Sequence, residues 1–552
     1  MRRVVATFTV VCALLAVHTG ASGATAPVGA PVVFRPTGGT TLVLHGRGAF
    51  HGTIEVRLGS SGLTVVNDLS LDDYVAGIDE VPGRWPMEAL KAQAVAARPY
   101  ALWEKQSGHW TKLGFDVCAT TTCQVYAGAD NERGTAGKRW LQAVHETAGQ
   151  VLLYKGKPAL TRFHSSSGGR TLPNEALFSE GPLPYLRGVD DPGDAVSPLH
   201  RWSVAFTRAQ LEEILRVGMG LNGTLVDVQA EVDGKRVRIR TAGGQIDIGV
   251  HRFTSVVNDK ASVMFPGSFP GLRSDGRRMP FTMPSSRFSV ERTSTGFVVH
   301  GRGYGHGVGM SQYGAKGLAD QGKSYKEILE TYYTGLRPSH WHGSRSMRVA
   351  ISQSRDSVAV SGDGTFGVYA GEDALAPSTI GAWTVTAGGS RSLDVSPPRG
   401  YSLPLVLSGL HAPGEVFVDP PKRGGDVEVD FVVPKAAEVT GELQRDGKTV
   451  ARGRTVAEAG EASVSLAIDT HGLPRRATYL LRVTAFDGTT RVVKTASVVL
   501  VRPSRSALPV AVVVALIVAG GAFFVARRRR QKDRDQSLVI PERGQLSPER
   551  HG

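Results

Sequence analysis

The stretch from Leu71 to Lys105, LDDYVAGIDEVPGRWPMEALKAQAVAARPYALWEK, predicts a loop that carries carboxyl groups and leads directly into a helix. Val81-Pro82-Gly83 interrupts the chain after Glu80, and Pro86 lies where a first helical turn tolerates a proline, because its missing N–H would be unpaired there. The apolar residues that follow are spaced by three and four and therefore share one helical face. They are Met87, Leu90, Ala94, Ala97 and Ala101. Glu80 is thus expected on a loop, where its carboxyl group can face a groove.

Spacing alone favours a simple explanation for the acids of this stretch, namely that they are solvated turn residues. Four longer passages resemble the SpoIID/LytB family, which includes stage II sporulation protein D and the amidase enhancers. They are DDYVAGIDEVP…MEALKAQAVAARPYAL from Asp72, DVCATTTCQVYAG from Asp116, FHSSSGGRT from Phe163 and GRGYGHGVGMSQYGAKGLA from Gly301, in the family's order over about residues 40–336. In this family the catalytic acid is a glutamate followed by a short residue and a proline. Glu80, followed by Val81-Pro82, matches that position.

The resemblance implies a lytic transglycosylase, which breaks the MurNAc–GlcNAc bond of peptidoglycan without water. One carboxylic acid protonates the leaving oxygen. As a carboxylate it then helps the sugar's own C6 hydroxyl attack, which gives a 1,6-anhydro end. A single Glu80 is sufficient for this reaction, in contrast to the two-acid hydrolases, and partial burial is expected to raise its pKa. The family analogy suggests glycan strands stripped of their stem peptides as the substrate, and no cofactor is expected.

Two other functions stay open. Because some relatives are enhancers of a cell-wall amidase, the protein could bind glycan and recruit that enzyme without cutting anything. Such a binder would tolerate Glu80→Gln. A zinc-dependent hydrolase would lose its activity on chelation, and the scattered histidines disfavour it. Glu88 is the second candidate for the acid, although a carboxylate in a first helical turn also interacts favourably with the helix dipole.

The resemblance also implies a set of substrate-binding residues along the groove. They are Gln93, Arg98, Tyr100, His164, Ser165, Ser166, Ser167, His306, Ser311, Gln312 and Tyr313. The alternating glycines from Gly301 to Gly309 would let the backbone approach a ligand closely, and the stretch does not fit a phosphate loop. A polar turn closed by Gly168-Gly169 explains any single serine equally well. Sequence neighbours on a strand point to opposite faces, so the histidine of this passage is not assumed to activate the next serine.

Cys118 and Cys123 form an isolated pair in CATTTC. Outside the cytoplasm such a pair most often forms a disulfide, and we favour a disulfide or free thiols over zinc. Some relatives bind zinc in this segment through cysteines and histidines, but here Thr122 precedes the second cysteine in place of a histidine. A zinc site needs four ligands, and His109 and His164 could complete it.

The two ends of the chain predict export and a membrane anchor. Residues 1–26 combine two arginines, an apolar run and small residues, as in a secretory signal peptide. Residues 507–526 carry no charge and are followed by Arg527–Arg530, which predicts one C-terminal transmembrane helix and a basic cytoplasmic tail at 527–552. The alternative is a buried core helix. We therefore expect a single-pass protein of the cell membrane with its N-terminal region outside the cytoplasm.

The expected fold class is an α+β SpoIID-like catalytic region with a substrate groove, followed by β-rich, Ig-like sandwich domains and the transmembrane helix. The expected ranges are 30–345 for the catalytic region, 346–422 for a β-rich segment and 423–502 for the sandwich, because alternating runs recur there at regular spacing. This second half is expected to be a spacer, with glycan binding or partner docking as the alternative. The formal net charge of +14 lies largely at the chain ends, and it favours an anionic cell envelope over nucleic acid as a partner.

Two local signals complete the expectations. Pro99 lies inside the predicted helix and predicts a kink near Val95–Arg98, because an interior proline removes a backbone hydrogen bond at a cost of about 3 kcal/mol. Ser324 and Glu327 predict a capping box ahead of KEILETYY.

Overall fold

Strands account for most of the regular structure. The structure, a computed structural model, describes residues 25–29, 31–418, 425–469 and 473–502. In these ranges there are 32 strands and seven α-helices. The expected α+β class is therefore wrong, and the described chain is β-rich with few helices. The helices are local elements and could be recognised in the sequence. Most of the sheets could not, because they recruit strands from distant parts of the chain.

The expected C-terminal membrane helix is likewise not part of the described fold. Within the described ranges, no helix is both long and apolar enough to cross a membrane. The stretch to which that helix was assigned, 507–526, lies outside the described residues, as do the basic tail and all but the last two residues of the predicted signal peptide.

Of the seven α-helices in the described ranges, the first two arise from the stretch that begins at Leu71. The helices are α1 (Leu71–Ala76), α2 (Met87–Ser107), α3 (Gly134–Glu146), α4 (Arg208–Met219), α5 (Val250–Met264), α6 (Gln312–Asp320) and α7 (Tyr325–Tyr332). Helix α2 begins directly after Pro86, as predicted, and continues through Pro99 to Ser107. The predicted capping box of α7 is confirmed, since Ser324 and Glu327 satisfy each other's backbone N–H groups.

The strands follow in chain order. The first half of the chain contributes β1 (Ala26–Gly29), β2 (Val32–Pro36), β3 (Leu42–Leu44), β4 (Gly48–Phe50), β5 (Thr53–Gly59), β6 (Gly62–Ser70), β7 (Val117–Cys118), β8 (Gln150–Tyr154), β9 (Lys157–Pro158), β10 (Phe163–His164), β11 (Arg201–Thr207), β12 (Leu225–Gln229), β13 (Arg236–Thr241) and β14 (Gly244–Gly249). The second half contributes β15 (Phe288–Arg292), β16 (Gly296–Arg302), β17 (Met310–Ser311), β18 (Pro338–His340), β19 (Ser346–Arg355), β20 (Ser357–Gly362), β21 (Phe366–Ala370), β22 (Asp373–Thr379), β23 (Trp383–Ala387), β24 (Ser392–Ser396), β25 (Ser408–His411), β26 (Glu415–Phe417), β27 (Gly425–Val433), β28 (Ala437–Arg445), β29 (Lys448–Ala457), β30 (Gly460–Ile468), β31 (Arg476–Phe486) and β32 (Arg491–Val501).

The chain divides into two compact units near Leu403, with Ala26–Gly29 belonging to the second. In the first unit a seven-stranded sheet has the order β22-β21-β2-β5-β6-β19-β7. Strands β19, β21 and β22 come from residues after 345, so the segment expected to start a separate β-rich region completes the sheet of the N-terminal strands. Strands β20, β23 and β24 join β3 and β4 in a second sheet in the same way.

A lobe between β10 and β17 has its own core. Strands β11, β16 and β15 form an antiparallel sheet against which α4 and α5 pack. Large apolar side chains fill this core, and they include Trp202, Phe206, Leu211, Phe253, Phe288 and Phe297. The lobe is therefore packed around a core of its own, and it adjoins the passage that begins at Gly301.

The second unit consists of two sheets over one core. Their orders are β25-β27-β30 and β26-β32-β31-β28-β29. Alternate residues of both sheets point inward, among them Val427, Val429, Val439 and Leu481, which is the pattern that predicted strands here.

Candidate active site

The carboxyl group of Glu80 lies between two segments that are distant in sequence. Its Oε1 accepts a hydrogen bond from the backbone N–H of Val125 at 2.7 Å. Its Oε2 accepts one from Nε2 of Gln312, the first residue of α6, at 3.3 Å. The backbone N–H of Asp79 donates to the Val125 carbonyl at 3.0 Å. The loop after α1 is thus held on both sides, and the carboxylate has a defined position.

The surroundings of Glu80 work against its negative charge. Burial raises its pKa from the ordinary 4.5 to about 7, against the lowering effect of the hydrogen bonds from Val125 and Gln312, while the charge of Asp79 raises it further. The residue as a whole is only partly buried, so it keeps contact with solvent while its carboxyl group is enclosed. A carboxyl group with this pKa is available as an acid and as a base near neutral pH.

Two pairs of aromatic side chains lie near this carboxyl group. The ring of Tyr313, next to Gln312, makes an edge contact with Trp85 at a centroid distance of 5.0 Å. The ring of Tyr304 lies 6.2 Å from that of Phe281, which is 48% exposed on the lobe. Burial raises the pKa of Tyr304, and the charge of Glu80 raises it further, so the two groups are within electrostatic reach. Aromatic faces of this kind suit the apolar faces of sugar rings.

The serine passage and the glycine-rich passage are paired beside Glu80. Strands β10 and β17 run parallel, with His164 opposite Ser311. The N–H of Tyr313 donates to the Ser165 carbonyl at 2.9 Å, and Tyr304 and Ser166 exchange two backbone hydrogen bonds. The glycines serve this pairing. A Cβ at Gly309 would lie 1.9 Å from the carbonyl oxygen of Arg162, and one at Gly303 would lie 2.5 Å from that of Ser166.

Three predicted substrate-binding serines are buried in a polar cluster that the sequence analysis missed. Asp194 is fully buried and is the acceptor at its centre. Its donors are Ser166 Oγ, Ser311 Oγ, His200 Nδ1 and the N–H groups of Ser167 and Gly168. Asp191 accepts from Ser167 Oγ at 2.7 Å and from the Tyr332 hydroxyl at 2.8 Å. These serines hold the serine passage and the glycine-rich passage together. In the sequence, the acidic turn DDPGD at 190–194 was the feature that could have indicated this cluster.

Gln93, Arg98 and Tyr100 are also buried, on α2. Arg98 donates to Asp72 at 2.8 Å and to the Val144 carbonyl at 2.9 Å, so its guanidinium holds α1 and α3 against α2. The side-chain amide of Gln93 has no hydrogen-bond partner among the described residues. Burial raises the pKa of Tyr100. The structure therefore places all three side chains in the interior and not on an exposed surface.

The two predicted histidines are neutral. His164 is buried and its Nδ1 donates to the Val308 carbonyl at 3.1 Å; burial holds its pKa well below the ordinary value. Burial and then the charge of Arg162 lower the pKa of His306 to about 4. Their rings lie 5.4 Å apart. Neither can supply a positive charge at neutral pH.

The residues present do not fit the zinc site that the resemblance raised as an alternative. Cys118 and Cys123 are joined in a disulfide. His109 lies against Trp110 and Glu104, and His164 packs beside His306 with its Nδ1 bonded to the Val308 carbonyl. Across the described ranges, no three or more His, Cys, Asp or Glu side chains are grouped so that they could hold a metal ion.

Comparison with known proteins gives the ancestry of this site. The family model of the stage II sporulation protein SpoIID matches residues 59–154, which contain Glu80, α2 and the disulfide. Stage II sporulation protein D of Bacillus subtilis is 32% identical over 285 residues, which cover 50% of this chain and 76% of that protein. The chain belongs to the SpoIID family. An uncharacterised protein of Brachyspira hyodysenteriae is 34% identical over 276 residues, covering 50% of this chain and 68% of its own.

The amidase enhancer of Bacillus subtilis is a further relative in this SpoIID group. It is 30% identical over 291 residues, which cover 47% of this chain and 39% of that protein. Together these relatives support a function related to the cell wall.

Proposed function

We propose that this SpoIID protein is a peptidoglycan lytic transglycosylase in which Glu80 is the single acid and base. The observation that carries the proposal is the state of that carboxyl group. Two hydrogen bonds fix it, and burial raises its pKa to about 7. A group of this kind can donate a proton and later take one back at the same pH.

The reaction needs no second carboxylate. Protonated Glu80 gives its proton to the glycosidic oxygen as the bond from MurNAc C1 to that oxygen breaks, and the GlcNAc hydroxyl leaves. The carboxylate then takes the proton of the C6 hydroxyl of the same MurNAc as O6 bonds to C1. This step restores protonated Glu80, consumes no water and leaves a 1,6-anhydro end.

The substrate proposed is a glycan strand stripped of its stem peptides. The partly exposed rings of Tyr313 and Tyr304 and the exposed ring of Phe281 offer faces on which sugars could lie, and the buried ring of Trp85 packs against Tyr313. One N–H of the Gln312 amide is used by Glu80, and the other amide atoms can bond to hydroxyl or N-acetyl groups of the sugar. Action outside the cytoplasm is part of the proposal, and the Cys118–Cys123 disulfide supports it, because disulfides persist in oxidising compartments.

A glycan-binding enhancer of a cell-wall amidase is the second candidate. It is favoured by the similarity to the amidase enhancer, which extends over 47% of this chain. The enzyme needs the Glu80 carboxyl group, whereas the enhancer needs only the surface around it.

Cleavage of defined strands tests the proposal. The protein of residues 25–502 and its Glu80→Gln variant are incubated with peptide-free glycan strands, and the products are analysed by mass spectrometry. We expect 1,6-anhydro-MurNAc ends from the wild type and a loss of about 100-fold or more in rate for the variant, since acid–base catalysis contributes about 10²–10⁴-fold.

The matched control is Glu88→Gln. Glu88 lies on the same stretch, but its carboxylate accepts the Tyr325 N–H at 2.7 Å and pairs with Lys91, so cleavage should persist. Reducing ends in place of anhydro ends would mean a hydrolase. Binding without cleavage by both the wild type and Glu80→Gln would support the enhancer.

A further inference from the structure

The disulfide lies at the turn of a segment that reaches the proposed catalytic acid. We call residues 117–127 the clamp segment. Its first part, β7, pairs in parallel with β19, with Val117 opposite Val349. The N–H of Ala119 then donates to the Ala350 carbonyl at 3.1 Å. This half of the clamp segment is therefore fixed to the seven-stranded sheet.

The second part of the clamp segment is fixed to the Glu80 loop. Val125 donates to the Glu80 carboxylate and accepts from the Asp79 N–H, and the Ala127 N–H donates to the Gly77 carbonyl at 2.8 Å. Gln124 is fully buried between the hydroxyl of Tyr74 at 2.8 Å and α2. The second part thus runs as a short antiparallel ladder along residues 77–80.

The disulfide closes the turn between these two parts. The turn itself is exposed and consists of Thr120, Thr121 and Thr122. Within it, the N–H of Thr122 donates to the hydroxyl of Thr120. The N–H of Cys118 points to the Cys123 sulfur at 3.1 Å, and the Tyr126 N–H donates to the Ala119 carbonyl at 3.4 Å. The disulfide is thus a covalent restraint on how the ladder against Glu80 follows from the sheet.

We infer that the Cys118–Cys123 disulfide, and not a metal ion, holds the clamp segment against Glu80, so that cleavage requires the oxidised form. The inference rests on the proposed function for its activity readout. Cys118 and Cys123 are positioning residues, since they act through the Val125 N–H and touch no reacting atom. Displacing a catalytic group by about 1 Å costs up to about 100-fold in rate.

Reduction by a water-soluble trialkylphosphine tests this inference. The phosphine breaks the S–S bond and becomes a phosphine oxide with oxygen from water, which leaves two thiols. We expect kcat on peptide-free glycan to fall at least about tenfold in the reduced wild type, with KM nearly unchanged, because a displaced acid alters the chemical step more than binding. The Cys118→Ser/Cys123→Ser double variant should match the reduced wild type and not respond to phosphine. Thr121→Ala, in the same turn, should behave as the wild type, and a chelator should have no effect.

Hydrogen exchange gives a readout that does not depend on cleavage. Peptides covering 74–82 and 117–127 should exchange faster after reduction, while peptides from the second unit should not change. If both the exchange rates and kcat are unaffected by reduction, the inference is wrong. Global unfolding on reduction would overturn it by making the disulfide a general stabiliser, and zinc that restores the reduced protein would overturn it in favour of a metal. If the oxidised wild type shows no cleavage, the proposed function fails while the exchange experiment still decides the role of the disulfide.

Discussion

The carboxyl group of Glu80 is held in its buried position at a cost to folding. Its carboxylate receives two hydrogen bonds, yet burial still dominates and raises its pKa to about 7. In the unfolded chain the same group titrates near its ordinary 4.5. Ionisation is therefore easier in the unfolded state, and the folded state carries the penalty wherever the group is charged.

Glu80→Gln should stabilise the protein at alkaline pH. A folded pKa above the unfolded one means that the wild type loses stability as the pH rises from about 4.5 and has lost all of this contribution above about 7. One pH unit corresponds to about 1.4 kcal/mol, so the total is about 3 kcal/mol at most. Glutamine does not titrate and retains an oxygen for the Val125 N–H. Urea unfolding at pH 5 and pH 8 should therefore show an advantage of the variant that grows with pH. An advantage of equal size at both pH values would contradict the raised pKa.

Single residues also show how far the sequence reached. Glu80, Gln312 and Tyr313 belong to motif passages that the structure brings together, whereas their roles in a reaction stay predictions. The motif could not distinguish residues that line an accessible groove from residues that are buried. Ser166 and Arg98 are polar in sequence, but their partners Asp194 and Asp72 lie 28 and 26 residues away.

The elements around the site depend on one buried acid. The serine passage of β10, the start of α6 and the 3-10 turn Pro192–Val196 meet at Asp194. Apart from His200, which is partly exposed, the donors are buried hydroxyl and backbone N–H groups, so each of these would be left unpaired if the acceptor were lost. Asp194 therefore adds one shared acceptor to three elements that also pack directly on one another.

Asp194→Asn should destabilise the first unit by about 3 kcal/mol or more, since removing a buried charged acceptor leaves its partners unsatisfied. In the wild type, donors face both oxygens of Asp194. An asparagine amide keeps one oxygen but replaces the other with an NH₂ group, which cannot accept a hydrogen bond from the donors there. The matched control is Asp190→Asn, four residues away. Its side chain is 82% exposed and pairs with Arg170 on the surface, so a change below about 1 kcal/mol is expected. Urea unfolding of both variants is the measurement, and equal effects would show that the buried cluster is not needed for stability.

At the scale of the whole chain, the pairing of strands was beyond the sequence. Alternating residues identified strands after residue 345, because a period of two is local. The partners of those strands are not local. In β19, Val349 lies opposite Asn67 of β6, about 280 residues earlier in the chain, and β21 pairs with β2. A separate region was therefore the natural expectation for residues 346–422, whereas the division of contacts falls near Leu403.

Two shortened proteins decide between these boundaries. A chain that ends at Leu403 keeps the six-stranded and the seven-stranded sheet of the first unit and every residue placed around Glu80. It should unfold cooperatively and cleave peptide-free glycan with a kcat within about threefold of the longer protein, a difference of less than about 1 kcal/mol. A chain that ends at Arg345 lacks β19, which lies between β6 and β7 in the seven-stranded sheet.

The loss of β19 also removes the buried side chains of Met347, Val349 and Ile351 from the core. Because burying an aliphatic side chain contributes about 1.5–3 kcal/mol, these three alone amount to much of the net stability of a typical domain. The strand also supports β7 and therefore the start of the clamp segment. The chain ending at Arg345 should consequently fail to fold, by circular dichroism and by proteolysis. A folded and active chain of that length would place the boundary at residue 345, and a folded but inactive chain ending at Leu403 would assign the second unit a part in the reaction.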